Sequence, residues 1–154
     1  MAFNFFRKKD EVLTEKSILV GARAKDKFEA IEIVGELLVK SGCVEPSYID
    51  EMKKREELLT TYIGNGIAIP HGGNEAKEKI KKSGLAVAQF PKGVDFGGGN
   101  RAYIVIGIAA KGDEHLEILS NIAVACEDES RAKKLAESSD PKEILMLLKE
   151  GFER

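Results

Sequence analysis

Two histidines and one arginine are the side chains of this sequence best placed to do chemistry. His71 stands in Ile67-Ala68-Ile69-Pro70-His71-Gly72-Gly73, where an apolar run meets a proline and the chain continues through two glycines. Proline removes a backbone donor and ends sheet pairing, and glycine tolerates turns that other residues resist. An imidazole at that point is held from behind by a strand and is open in front, the layout a phosphoryl-accepting histidine needs. Arg55 shares a helical face with Tyr48, Met52 and Leu59, so its guanidinium either snorkels to the surface or meets an anion. Its helix neighbours Glu56 and Glu57 point away from it, which leaves an ion pair with a distant carboxylate as the structural alternative. His115, the second histidine, falls in the first turn of an expected helix after Asp113, on a face with Leu119, Ile122 and Cys126. Free N–H groups at a helix start attract phosphate; packing at the head of the helix is the plainer role.

The elements that must position these groups follow from periodicity. Residues 17–21 form an expected first strand. Asp26 caps a helix with the stripe Phe28, Ile31, Val34, Leu38, ending near Gly42. Pro46-Ser47 opens a second helix reaching about Leu59. Strands are expected at residues 67–70, 85–90 and 103–109, the last apolar enough to be buried on both faces. Asp113 caps a helix through Leu116, Leu119, Ile122 and Cys126. Two shorter helices follow, the final one opened by Asp140-Pro141 and burying Ile144, Leu145, Leu147 and Leu148. Strands interleaved with helices indicate a single-domain α/β sandwich. If the strands preceding His71 and His115 run parallel, both imidazoles reach the same rim of the sheet, with Arg55 adding fixed positive charge.

Composition narrows the function classes. The 154 residues suit one domain with a proper core, and 43% hydrophobic with 32% charged residues indicates a folded chain. A net charge of −2 argues against nucleic-acid binding. Cys43 and Cys126 fit no metal or redox spacing and are expected as reduced thiols of a cytoplasmic protein. No stretch reaches membrane-spanning length, so no membrane insertion is expected. Phe3, Phe5 and Phe6 precede Arg7-Lys8-Lys9, the reverse of a secretory signal, and residues 1–16 are expected to be an N-terminal extension. Gly97-Gly98-Gly99 lacks the Lys-Ser/Thr of a phosphate-binding loop and suits a turn; the lysine-rich run from Lys77 to Lys82 suits a solvated helical face. No cofactor is expected.

Arg55-Glu56, Thr61-Tyr62-Ile63-Gly64 and Ile67-Ala68-Ile69-Pro70-His71-Gly72 together resemble the active-site stretch of the mannitol/fructose-type IIA proteins of the bacterial sugar phosphotransferase system. Lys111-Gly112-Asp113-Glu114-His115-Leu116 resembles that family's second histidine segment. Phe90-Pro91-Lys92-Gly93-Val94-Asp95-Phe96-Gly97 is similar to the mannitol branch more than to the fructose or nitrogen-regulatory branches. The resemblance spans residues 17–154, and it implies a mixed sheet of about five strands with helices on both faces. It also implies that His71 takes a phosphoryl group from the carrier HPr, at Nε2, and gives it to a cysteine of a mannitol-specific IIB domain of a membrane permease. Arg55 would then stabilise the phosphoryl oxygens and His115 would hydrogen-bond to them. One departure is Gly73, where close relatives often carry Thr or Ser, so a backbone N–H would have to replace that hydroxyl. Alternatives are a regulatory nitrogen-type or fructose-type IIA phosphoprotein, a metal enzyme using both histidines and a carboxylate, and a small-ligand sensor with structural histidines.

Overall fold

The computed structural model describes residues 12–112 and 114–152. Asp113 and the segment Phe3 to Lys9 lie outside the described residues. Five strands form one sheet in the order β1-β4-β5-β3-β2: β1 (Ile18–Leu19), β2 (Tyr62–Gly64), β3 (Ile67–Ala68), β4 (Gly84–Asp95) and β5 (Arg101–Ala109). The sheet is mixed, because β1 runs parallel to β4 and β3 parallel to β5, while β4–β5 and β2–β3 are antiparallel.

Helices cover both faces. On β4, Leu85 and Val87 turn to one core while Ala86, Ala88 and Phe90 turn to the other, the period-2 alternation of a strand buried on both sides. The first core takes α3 (Glu114–Glu127), α4 (Glu129–Glu137) and α5 (Pro141–Phe152); the second takes α1 (Lys27–Lys40) and α2 (Tyr48–Leu58). Asp26 caps α1 as expected, its carboxylate accepting from the Glu29 N–H at 2.9 Å. Gly107 lets α1 come close: a Cβ there would meet Val34 Cγ2 at 2.9 Å.

Several expectations need correction. The first strand is two residues long, not five. Leu13 is 2% exposed and packs into the first core. Strand β2 was not foreseen; its three residues are half-buried or exposed and show no apolar run. Strand β4 continues past Phe90 through Pro91 to Asp95, because the pairing with β5 slips between Gln89 and Val94 and frees the proline from the ladder. Leu59 is 68% exposed: α2 ends at Leu58, and the next residue turns extended and leaves the buried face. Only the start of the lysine-rich run, Lys77 to Lys79, is helical, as the end of a 3-10 helix, Asn74–Lys79; Ile80 after it is buried and bridges Val44. The three glycines do form the turn between β4 and β5, with φ of 106°, 62° and 82°.

Candidate functional site

The rim of the sheet above β3 and β5 gathers the two imidazoles. Past Ala68 the chain stays extended: Ile69 N–H donates to Thr61 O, and Pro70 O accepts from Ile108 N–H at 2.9 Å. His71 thereby pairs with Ile108 in parallel register. Strand β5 ends one residue further on, the chain turns at Gly112 (φ 61°), and His115 appears in the first turn of α3. The parallel pairing on which convergence depended is present, and the ring centroids lie 5.7 Å apart at 65°.

Each ring is held by identifiable contacts. His71 Nδ1 lies 2.8 Å from the carbonyl oxygen of Ile69. A carbonyl only accepts, so Nδ1 carries the proton and Nε2 keeps its lone pair. The partner lies in the extended segment just ahead of Pro70. The link carrying His115 is fastened by Ser83, whose hydroxyl accepts from Lys111 N–H at 2.9 Å and donates to Glu114. Arg55 projects from the last turn of α2, half-buried, with one N–H on Leu59 O at 2.5 Å.

The electrostatics favour an anion. Burial holds the His71 imidazole below the ordinary histidine value, against the pull of the Ile69 carbonyl, and the charges of Arg55 and His115 lower it further while Glu56 opposes them. His115 is lowered too, first by burial and then by the ammonium of Lys77. Both rings are therefore neutral near pH 7. The nearby carboxylates are committed elsewhere. Glu56, 2% exposed, accepts from Lys27 at 3.2 Å, from both Thr60 and Thr61 hydroxyls, and from Thr61 N–H. Glu51 pairs with Lys79 at 3.0 Å. Among the described residues no carboxylate or thiol joins the two histidines in a metal-holding group.

Three contributors escape a residue-by-residue reading of the chain. Tyr48 counts there only as apolar, yet its hydroxyl contacts both Gly72 and Ile108; a tyrosine in a buried stripe is the available signal, since its hydroxyl must find a partner. Lys77 is one lysine among several in its run. Ser83 carries no sequence signal at all.

A small α/β domain with a mixed five-stranded sheet and paired imidazoles on one rim is the class that fold and site define. Residues 11–151 match the family described as Phosphoenolpyruvate-dependent sugar phosphotransferase system, EIIA 2, and the chain belongs to that family. It is 48% identical over 139 residues to the Mannitol-specific phosphotransferase enzyme IIA component of Geobacillus stearothermophilus, covering 90% of this chain and 96% of that one. The crystal structure of IIA mannitol from Escherichia coli superposes with a TM-score of 0.83 at 43% identity, covering 88% of this chain and 98% of that one. A chain in the Escherichia coli complex of enzyme IIAMTL with phosphorylated enzyme IIBMTL gives 0.85 at 42%, covering 90% and 97%.

Proposed function

We propose that this chain is the mannitol-type IIA component, with His71 as the residue that carries the phosphoryl group. The observation behind this is the His71 ring itself: its Nδ1 proton is engaged by Ile69 O at 2.8 Å, which leaves Nε2 as the nucleophile beside His115. Neutral Nε2 attacks phosphorus in line, and the bond to the donor, phospho-HPr, breaks as the N–P bond forms. The Nδ1 proton stays in place, so no separate base is needed. In the second half the thiolate of a mannitol-specific IIB domain attacks phosphorus and His71 leaves as neutral imidazole. Arg55 offsets the charge on the phosphoryl oxygens, and His115 hydrogen-bonds to them. Positioning and charge stabilisation supply most of the catalysis in such transfers.

The specificity follows the relatives, which are named for mannitol; the regulatory alternative shares the His71 chemistry and differs in the recipient. Among the described residues no helix is long and apolar enough to cross a membrane. The test is intact-mass analysis after mixing with enzyme I, HPr and phosphoenolpyruvate, then challenge with mannitol-specific IIB. One phosphoryl group gained and then lost to that IIB supports the proposal. A phosphoprotein that mannitol-specific IIB leaves charged refutes the mannitol assignment, and no phosphate uptake refutes the carrier role.

A further inference from the structure

At its far end the parallel pairing between the His71 segment and β5 takes in a side chain. In a parallel pair, the carbonyl that faces a bridged residue takes the N–H of the residue after it. By that pattern Ile108 O should receive Gly72 N–H. The rung is instead relayed through a side chain: Gly72 N–H donates to Tyr48 Oη at 2.8 Å, and the Tyr48 hydroxyl donates to Ile108 O at 2.9 Å. The direction is fixed, since an amide only donates and a carbonyl only accepts. The preceding rung, Ile108 N–H to Pro70 O, is direct.

We propose that Tyr48 is a positioning residue for His71: its hydroxyl, inserted as a spacer in the ladder, splays the chain from β5 just after the acceptor and fixes the direction of its ring. The proposal rests on the carrier role of His71. Four further observations support it. Tyr48 is 2% exposed, so the ring that delivers the hydroxyl is locked by packing. Gly72 fits against it with no room to spare, for a Cβ would lie 2.7 Å from Tyr48 Cε1 and 2.9 Å from Ala76 Cβ. Burial also pushes the phenol up to about 12, so the hydroxyl keeps its proton at every working pH. Tyr48 and Arg55 stand two turns apart on α2, so one helix sets both the acceptor's orientation and the charge beside it.

The test is Tyr48→Phe, which keeps the packed ring and deletes the spacer. The deletion either lets Gly72 close directly on Ile108, which shifts the chain beside His71, or leaves both groups unpaired and that chain without the tie that fixes it. We expect the first-order rate of phosphate acceptance from phospho-HPr to fall about tenfold at unchanged KM, in line with the cost of a small misplacement of a reacting group. The ring-nitrogen NMR shifts of His71 should move as the single tautomer is lost. Ser138→Ala removes a buried hydroxyl that donates to Glu143 at 2.5 Å, far along the chain, and serves as a control matched for lost stability. A wild-type rate in Tyr48→Phe, unmoved His71 shifts, or an equal loss in Ser138→Ala would each overturn the proposal. The NMR arm needs no phosphate, so absence of uptake by the wild-type protein would count against the carrier role and leave the hold of Tyr48 on the ring still decided by the shifts.

Discussion

Replacing Arg55 with Gln tests charge stabilisation at the site with little disturbance of α2, since the two residues have similar helix propensity. One N–H of Arg55 is tied to Leu59 O at 2.5 Å, which aims the group, and the side chain is half-buried. A unit charge about 4 Å from a phosphoryl oxygen at an effective dielectric of about 20 contributes on the order of 4 kcal/mol before desolvation. Solvent reaches part of this side chain and screens the interaction, which leaves about 2 kcal/mol, or about 30-fold in rate. A second effect opposes the first. Arg55 is one of the charges that lower His71, so its loss makes the ring slightly more basic and a better nucleophile. At about pH 8 the ring is neutral with or without the arginine, and the charge effect stands alone. The assay is rapid-quench transfer of labelled phosphate from phospho-HPr, beside thermal unfolding, whose free energy should change by less than about 0.5 kcal/mol. Arg55→Lys keeps the charge and loses the planar fork, so its rate should fall between the two. Acceptance by Arg55→Gln within twofold of wild type, on an intact fold, refutes the role given to Arg55.

Four further outcomes are expected. His71→Ala should abolish phosphate incorporation and leave circular dichroism unchanged; full labelling would move the acceptor elsewhere. His115→Ala should still accept phosphate and pass it slowly to IIB, and a wild-type transfer rate would reduce His115 to packing. Because burial depresses His71, the unfolded ring takes up its proton first; the stability gained from keeping it neutral is complete above about pH 6.5 and declines as pH falls toward the folded value. Melting curves across that window should slope less in His71→Gln, and the acid limb of acceptance should lie below the ordinary histidine value. Glu56→Gln strips Lys27 of its partner and should cost roughly 2–4 kcal/mol in denaturant titration, since a buried pair is broken while the 23%-exposed lysine can rehydrate in part.

Long, strongly patterned elements were legible in the chain because packing and periodicity agree there. Phe28, Ile31, Val34 and Leu38 announce α1, and its cap stands one residue ahead of it. The strand expected at residues 85–90 and the apolar run of β5 announce the sheet centre. Strand β2 was hidden for the opposite reason. Tyr62-Ile63-Gly64 lies at the sheet edge with Ile63 40% exposed, so no core demanded a pattern from it. Pro91 disguised the far half of β4, where a slipped register dispenses with its missing N–H.

At the site, residue types were legible and the forces holding them were not. His71 and His115 stand out as the two histidines, one after a strand and one at a helix start, and Arg55 as a charge on an otherwise apolar helical face. What fixes them is tertiary. Gly72 shows the difference: a glycine after a proline and a histidine suggests a backbone turn, yet neither Gly72 nor Gly73 has positive φ. Gly72 is demanded by contact, because Tyr48 from α2 and Ala76 from the following 3-10 helix leave no volume for a methyl group. Gly72→Ala should therefore displace the acceptor loop, whereas Gly73→Ala meets only the movable end of Glu75. Two adjacent glycines that look interchangeable in the sequence thus do different jobs, and only the neighbours brought in by the fold tell them apart.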